Sequence, residues 1–287
     1  MNTDEIFTRF QTLRNTRGVW ENHWEEIAER VMPRAAQFVS TGTPGEKRTH
    51  KLYDATASLA LERFAAAVES LLTPRGAKWH TLRASNPDLN KDPEVRLYFD
   101  TIEELLFSYR YSPKSNFSSQ LHEGYMSLGA FGTSGLFVDE SPLQGMIYRT
   151  IHLADLFIAE NEHGIVDTVF RRFELTARQL MRMFDEKDLS SEVKKIAEKK
   201  PDTKIKILHV VMPRNDRDPE KKDRLNQPWM SCYFEIETRN KIEEGGYRTN
   251  PFIVNRYNTG PREIFGRSPA MTILPDIKMI NEMSKTV

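Results

Sequence analysis

The sequence predicts an α+β protein: a helical N-terminal half, then an antiparallel β-rich region, then a C-terminal helix. Three observations carry this. Apolar residues recur at helical spacing, in separate blocks, from Ile6 to Ala130. At Leu136 the texture changes to short β-branched and aromatic runs divided by turn residues. Ser268-Pro269 then opens a last apolar series. These changes divide the chain into 1–135, 136–267 and 268–287.

The first helix is expected over Thr3–Val31, with Ile6, Phe10, Leu13, Trp20, Trp24, Ile27 and Val31 in register, Thr3 as its cap, a possible break at Gly18 and a stop at Pro33. Residues 34–50 have no period and read as a mobile loop. Asp54 is expected to cap a helix with Leu59, Leu61, Phe64, Ala65, Val68, Leu71 and Leu72 on its apolar face. Residues 79–83 alternate like a short strand, Asp92-Pro93 opens a helix up to Pro113, and another covers about 116–130. Strand patterns follow at 136–138, 145–153, 155–161 and 164–175, forming a meander. Thr176 and Gln179 have capping-box spacing for a helix near 177–185, and a second helix covers about 190–200. Strands are expected near 204–212, 229–238 and 247–257, with a second mobile loop at 213–227. Ser268 and Pro269 suit the cap and first turn of the final helix, and Gly266 can take a backbone shape that other residues avoid, so these three are expected to form a structural hinge. Ile273, Ile277, Ile280 and Val287 repeat at steps of four, three and seven, so the first three are candidate subunit contacts.

Composition narrows the function. The 41 Lys+Arg balance 41 Asp+Glu over 287 residues, which removes the net attraction of a tight nucleic-acid binder. The single cysteine, Cys232, excludes an intrachain disulfide and a Cys-rich zinc site and suits a reducing compartment. With neither a long apolar run nor a signal-peptide pattern, the chain is expected to be neither secreted nor membrane-embedded.

Chemical motifs are weak. Gly129–Gly135 is glycine-rich, but it follows a helix and precedes a strand, the reverse of a phosphate-binding loop, so a tight turn with positive φ is expected. Ser134 lies one residue short of a nucleophile elbow and reads as a turn residue. His122-Glu123 starts a zinc motif, but Met126 stands where the second histidine belongs. Trp20 and Trp24 read as packing residues, and the basic loop 44–51 as a solvated one. The expectation is no catalytic residue, no metal and no cofactor.

The order of several plain strings is more telling. Trp20–Ile27 leading to Met32-Pro33, Leu52–Thr56 leading to Leu71–Pro74 and Trp79, Leu128–Gly135, Ala159–Asn161 with Gly164–Phe173, and Arg262–Ala270 with Leu274–Lys278 occur in that sequence. Together they resemble the head-to-tail connector (portal) proteins of short-tailed bacteriophages, from about Ile6 to Lys285.

The resemblance implies a non-enzymatic subunit of a ring, generally of twelve copies, at one capsid vertex of the virion, assembled in the bacterial host cytoplasm. The implied fold is a wing-like region followed by the start of a stem at residue 268, in a chain that stops short of the remaining stem, clip and crown. Implied partners are further copies of itself, the terminase large subunit, tail adaptor, capsid and scaffold proteins, and double-stranded DNA that passes through weakly held. A formally neutral chain is compatible with such a passage. Two alternatives stay open from the residues: a cytosolic enzyme with scattered polar groups, and a monomeric remnant of a prophage portal.

Overall fold

The computed structural model describes residues 2–39, 43, 45–141 and 145–286. Of the loop expected at 34–50, residues 40–42 and 44 lie outside the described residues, as does Val287. Helices α1 (Thr3–Val31), α2 (Thr56–Leu72), α3 (Pro93–Arg110) and α4 (Phe117–Phe131) fill the first half. Strands β1 (Thr133–Ser141), β2 (Gly145–Ile151), β3 (Leu156–Glu160) and β4 (Val166–Thr176) follow, then α5 (Ala177–Met183) and α6 (Ser191–Lys199). The chain continues through β5 (Lys204–Pro213), β6 (Trp229–Glu235), β7 (Lys241–Tyr247), β8 (Phe252–Arg256), α7 (Pro269–Thr272) and α8 (Leu274–Thr286). The α+β class is as the sequence predicts.

The residues group into two compact units, the first being Met1–His23, Gln37–Val39 and His152–Phe252. Its core is an antiparallel sheet in the order β3-β4-β5-β6-β7. The pleat sends alternate side chains to opposite faces. Phe157, Phe170, Val210 and Cys232 stand opposite one another across four strands, and with Leu208, Met212 and Phe234 they pack against Ile6, Phe7 and Phe10 of α1. The other face carries Phe173, Ile207 and Ile242 against Leu180, Phe184, Leu189 and Val193 of the α5–α6 region. Thr176 caps α5 through a complete capping box with Gln179. Buried Arg17 organises the turn before β3 by donating to the carbonyls of Leu153 (3.1 Å), Ala154 (2.8 Å) and Leu156 (2.6 Å), while lying 3.7 Å over the Phe157 ring.

The second unit holds Trp24–Ala36, Ser40–Ile151 and Ile253–Val287. Its sheet has the order β2-β1-β8, with β1 and β2 antiparallel from Gly135↔Ile151 to Ser141↔Gly145. Helix α4 backs this sheet, and α2 packs on α4, where Gly129 lets Leu61 and Phe64 approach so closely that an added Cβ would stand 2.7 Å from each. Trp24 is fully buried edge-on to Phe265.

Several local expectations change. Helix α1 runs through Gly18 unbroken, and Asn2, whose carbonyl accepts from Ile6, takes the cap position given to Thr3. Asp54 binds the Thr56 amide, but Ala55 occupies the cap position of α2. Residues 79–83 form no strand. The strand expected near 247–257 is the shorter β8, and β7, over Lys241–Tyr247, is a strand that the sequence reading does not include. The loop 213–227 includes a short 3₁₀ turn, Arg224–Asn226, and the Asp218 amide donates to Asn226 Oδ1 at 2.8 Å. The helix opened by Ser268 is interrupted at Ile273, because Pro275 has no N–H to donate to the carbonyl of Met271.

Candidate functional site: a glycine junction and exposed helix faces

The strings 128–135 and 262–270 meet in the second unit. Helix α4 ends at Gly132, which has φ +73, a left-handed conformation that closes a helix and that glycine adopts without steric cost. The Gly132 carbonyl accepts from the Tyr257 amide at 2.9 Å, and the Gly266 amide donates to Thr133 Oγ1 at 2.8 Å. A Cβ on Gly132 would collide with the Gly266 carbonyl, and one on Gly266 with the Gly132 carbonyl. Gly266 is not among the positive-φ residues, so close approach rather than the special backbone shape inferred from sequence is what demands glycine there. Ser268 Oγ accepts from the Met271 amide (3.0 Å) and donates to the carbonyl of Ala130 (2.8 Å), one of the last-turn carbonyls of α4 that lack an intrahelical donor. Pro269 takes the first turn of α7. The junction holds Gly266, Ser268 and Pro269 against the end of α4, and Ser268 is buried.

Beyond the junction, α8 turns Leu274 and Asn281 inward. Asn281 accepts from the amides of Tyr53 (2.8 Å) and Asp54 (3.2 Å) and donates to the carbonyl of Lys51 (2.9 Å), while Lys278 forms an ion pair with Glu26. Ile273 and Ile280 are exposed and Ile277 is half-buried, so this apolar series lies away from the helix's own packing.

The same holds for two other helices. On α2, Leu61 and Ala65 are buried, whereas Leu59, Leu71 (80% exposed) and Leu72 face solvent, so the apolar face expected from sequence is only partly covered by the fold. On α3 the only buried residue is Glu103, which pairs with Lys78 at 3.3 Å and accepts from the Leu82 amide at 3.2 Å. Leu97 (68% exposed), Tyr98, Leu105 and Tyr109 form the outer side of α3. Exposed apolar stripes of this kind are candidates for association surfaces.

Groups with chemical promise are occupied structurally. Ser134 lies within β1, not in a turn, and is buried. His122 contacts Glu69 at 2.9 Å, and Glu123 pairs with Arg34 at 2.9 Å. Among the described residues no group of three or more His, Cys, Asp or Glu side chains is placed to hold a metal ion, and no helix is long and apolar enough to cross a membrane. In the first unit, His209 stacks on Tyr233 at 4.1 Å and shares a 3.0 Å hydrogen bond with Ser231; burial, then Arg171, push its pKa down to about 3. Burial and then Glu244 push the Cys232 thiol up to about 12, which keeps it protonated at neutral pH. A cleft of about 560 Å³ in this unit sets Arg9 and Arg214 against Glu162, Asp167 and Asp216, but Arg214 is already engaged by Glu244 (2.9 Å) and the Gly245 carbonyl (2.9 Å).

Sequence comparison supplies the context for these surfaces. Residues 3–287 match the family described as bacteriophage head to tail connecting protein. The chain is 32% identical over 280 residues to a probable portal protein of Bordetella phage BPP-1, covering 96% of this chain and 50% of that protein. It is 25% identical over 287 residues to a portal protein of Salmonella phage epsilon15, covering 98% of this chain and 51% of that protein. The chain thus spans about half the length of the curated relatives it matches.

Proposed function

The chain belongs to the bacteriophage head to tail connecting protein family, and from that premise we propose that it serves as a structural subunit of a portal ring at the capsid vertex. The observation that carries this reading is the set of exposed apolar faces on α2, α3 and α8 of one unit, which a lone soluble chain has no reason to keep. Head-to-tail closure of a ring requires two different surfaces on each subunit, and several helix faces meet that need. The subunit's work is to frame a passage for double-stranded DNA during packaging and ejection, and it performs no covalent chemistry. Further partners under this reading are the terminase large subunit, tail adaptor proteins and capsid or scaffold proteins. The virion vertex is its destination and the bacterial cytoplasm its place of assembly.

Electron microscopy of the purified protein, combined with light scattering, tests the reading. The expected result is rings with a central hole and a mass of about a dozen subunits. A strict single-subunit mass at every concentration refutes it and favours a monomeric remnant, while substrate turnover by the lone chain favours an enzyme.

A further inference from the structure

We propose that the outer face of α3 docks on the outer face of α2 of a neighbouring copy, with Arg63 and Asp100 paired across the contact. This rests on the portal-ring reading, but it names the surfaces. Both helices lie in the second unit and turn opposite sides to solvent and to their own fold. Helix α2 uses Leu61, Phe64 and Ala65 inward, leaving Leu59, Arg63, Ala67 and Leu71 on one outer stripe at steps of four. Helix α3 buries Glu103, leaving Leu97, Thr101, Leu105 and Tyr109 outward at the same steps, with Tyr98 beside them.

Lengths and chemistry match. Leu59 to Leu71 and Leu97 to Tyr109 each cover twelve residue steps, about 18 Å of helix. Bulky Leu and Tyr side chains on α3 meet a stripe whose middle, at Ala67, is low, so ridges of one helix can settle into the other. The charges allow pairing: Arg63 sits midway along the α2 stripe next to exposed Glu62, and α3 carries exposed Asp100 and Glu104 on its flank with exposed Arg96 one turn before. Neither Arg63 nor Asp100 has an ion-pair or hydrogen-bond partner of its own among the described residues, whereas Glu104 is within 3.6 Å of Lys78. An arginine in the middle of an apolar stripe costs desolvation on association unless an acid faces it. The occupant that supplies both the acid and the apolar ridge is a second copy of this chain. Because the two faces differ, the contact runs head to tail and repeats.

Cysteine pairing in the full chain tests this. With Ala67→Cys and Leu105→Cys in one chain, mild oxidation should give a ladder of multiples of the subunit mass on a denaturing gel, and neither single variant should. Native Cys232 is buried and does not interfere. Arg63→Asp should weaken assembly at least tenfold by placing like charges together, and adding Asp100→Arg to the same chain should restore it; unchanged circular dichroism shows that each variant folds. Rings without a ladder, indifferent to Arg63→Asp, overturn the α2–α3 contact while leaving the portal-ring reading intact. A dimer from Ala67→Cys alone overturns it in favour of a symmetric contact, and a chain that never associates overturns both.

Discussion

Replacing Gly132 with alanine isolates what the junction requires. Two costs add. At φ +73 a residue with a Cβ is disfavoured by roughly 1–2 kcal/mol. The new methyl also meets the Gly266 carbonyl, a backbone atom that moves only if the 257–267 segment moves with it, and such overpacking costs about 1–3 kcal/mol. The lower entropy of the unfolded alanine chain offsets about 0.4–1 kcal/mol. Gly132→Ala should therefore destabilise the second unit by roughly 1–4.5 kcal/mol. Gly266→Ala meets the collision without the conformational penalty, so its cost should be smaller. Gly18→Ala is the internal control: it lies inside α1 with nothing within 4 Å of an added Cβ, and should stabilise by about 0.5–1 kcal/mol. Urea unfolding ranks the three by midpoint, and hydrogen exchange over residues 128–135 and 257–271 shows whether protection is lost locally. If Gly132→Ala and Gly18→Ala shift the midpoint alike, the interlocked-glycine argument is wrong.

Ser268→Ala should cost about 2–3 kcal/mol, more than the roughly 1 kcal/mol of a surface cap, because it also strands the Ala130 carbonyl; a urea midpoint shift no larger than a surface cap's contradicts this. Arg17→Met should destabilise the first unit by about 3–5 kcal/mol by leaving three carbonyls of residues 153–156 without their donor, read as faster hydrogen exchange around β3, and an unchanged exchange rate there refutes it. His209 stays neutral in the fold, so between about pH 6.5 and 3 the unfolded chain binds the extra proton and stability falls as pH falls, by up to about 1.4 kcal/mol per pH unit. His209→Gln should flatten that slope; thermal melts across the window that superimpose on the unsubstituted protein's slope would overturn the assignment.

Local signals were legible where one side chain answers a neighbour a few residues away. The Thr176–Gln179 box, the Asp92-Pro93 helix start and the turn at Gly132 all depend on short-range geometry, and spacing reveals them. What escaped depends on distant segments. Gly266 needs its missing Cβ because of a carbonyl 134 positions earlier, at Gly132, and Arg17 looks like a solvated cation until the turn at 153–156 is folded over it. Strand β7 escaped for a different reason: KIEEGGY at the sheet edge carries two glutamates and two glycines, composition that suits an edge strand and also a loop.

Apolar periodicity has a further blind spot, and it falls on the helix faces that the proposed ring contact uses. A helical series of leucines states only that one side must leave water; it does not state whose side chains will cover it. On α2 the sequence lets Leu59, Leu61, Leu71 and Leu72 read as one face, yet the fold takes Leu61 and leaves the other three outside. On α8 the inward positions are Leu274 and a polar residue, Asn281, whose amide is hydrogen-bonded to the backbone of Lys51, Tyr53 and Asp54, while Ile273 and Ile280 face outward. Polar groups that satisfy one another inside the chain thus leave apolar residues facing solvent. The mismatch between the apolar pattern and the chain's own core is the feature on which the proposed portal-ring contact rests.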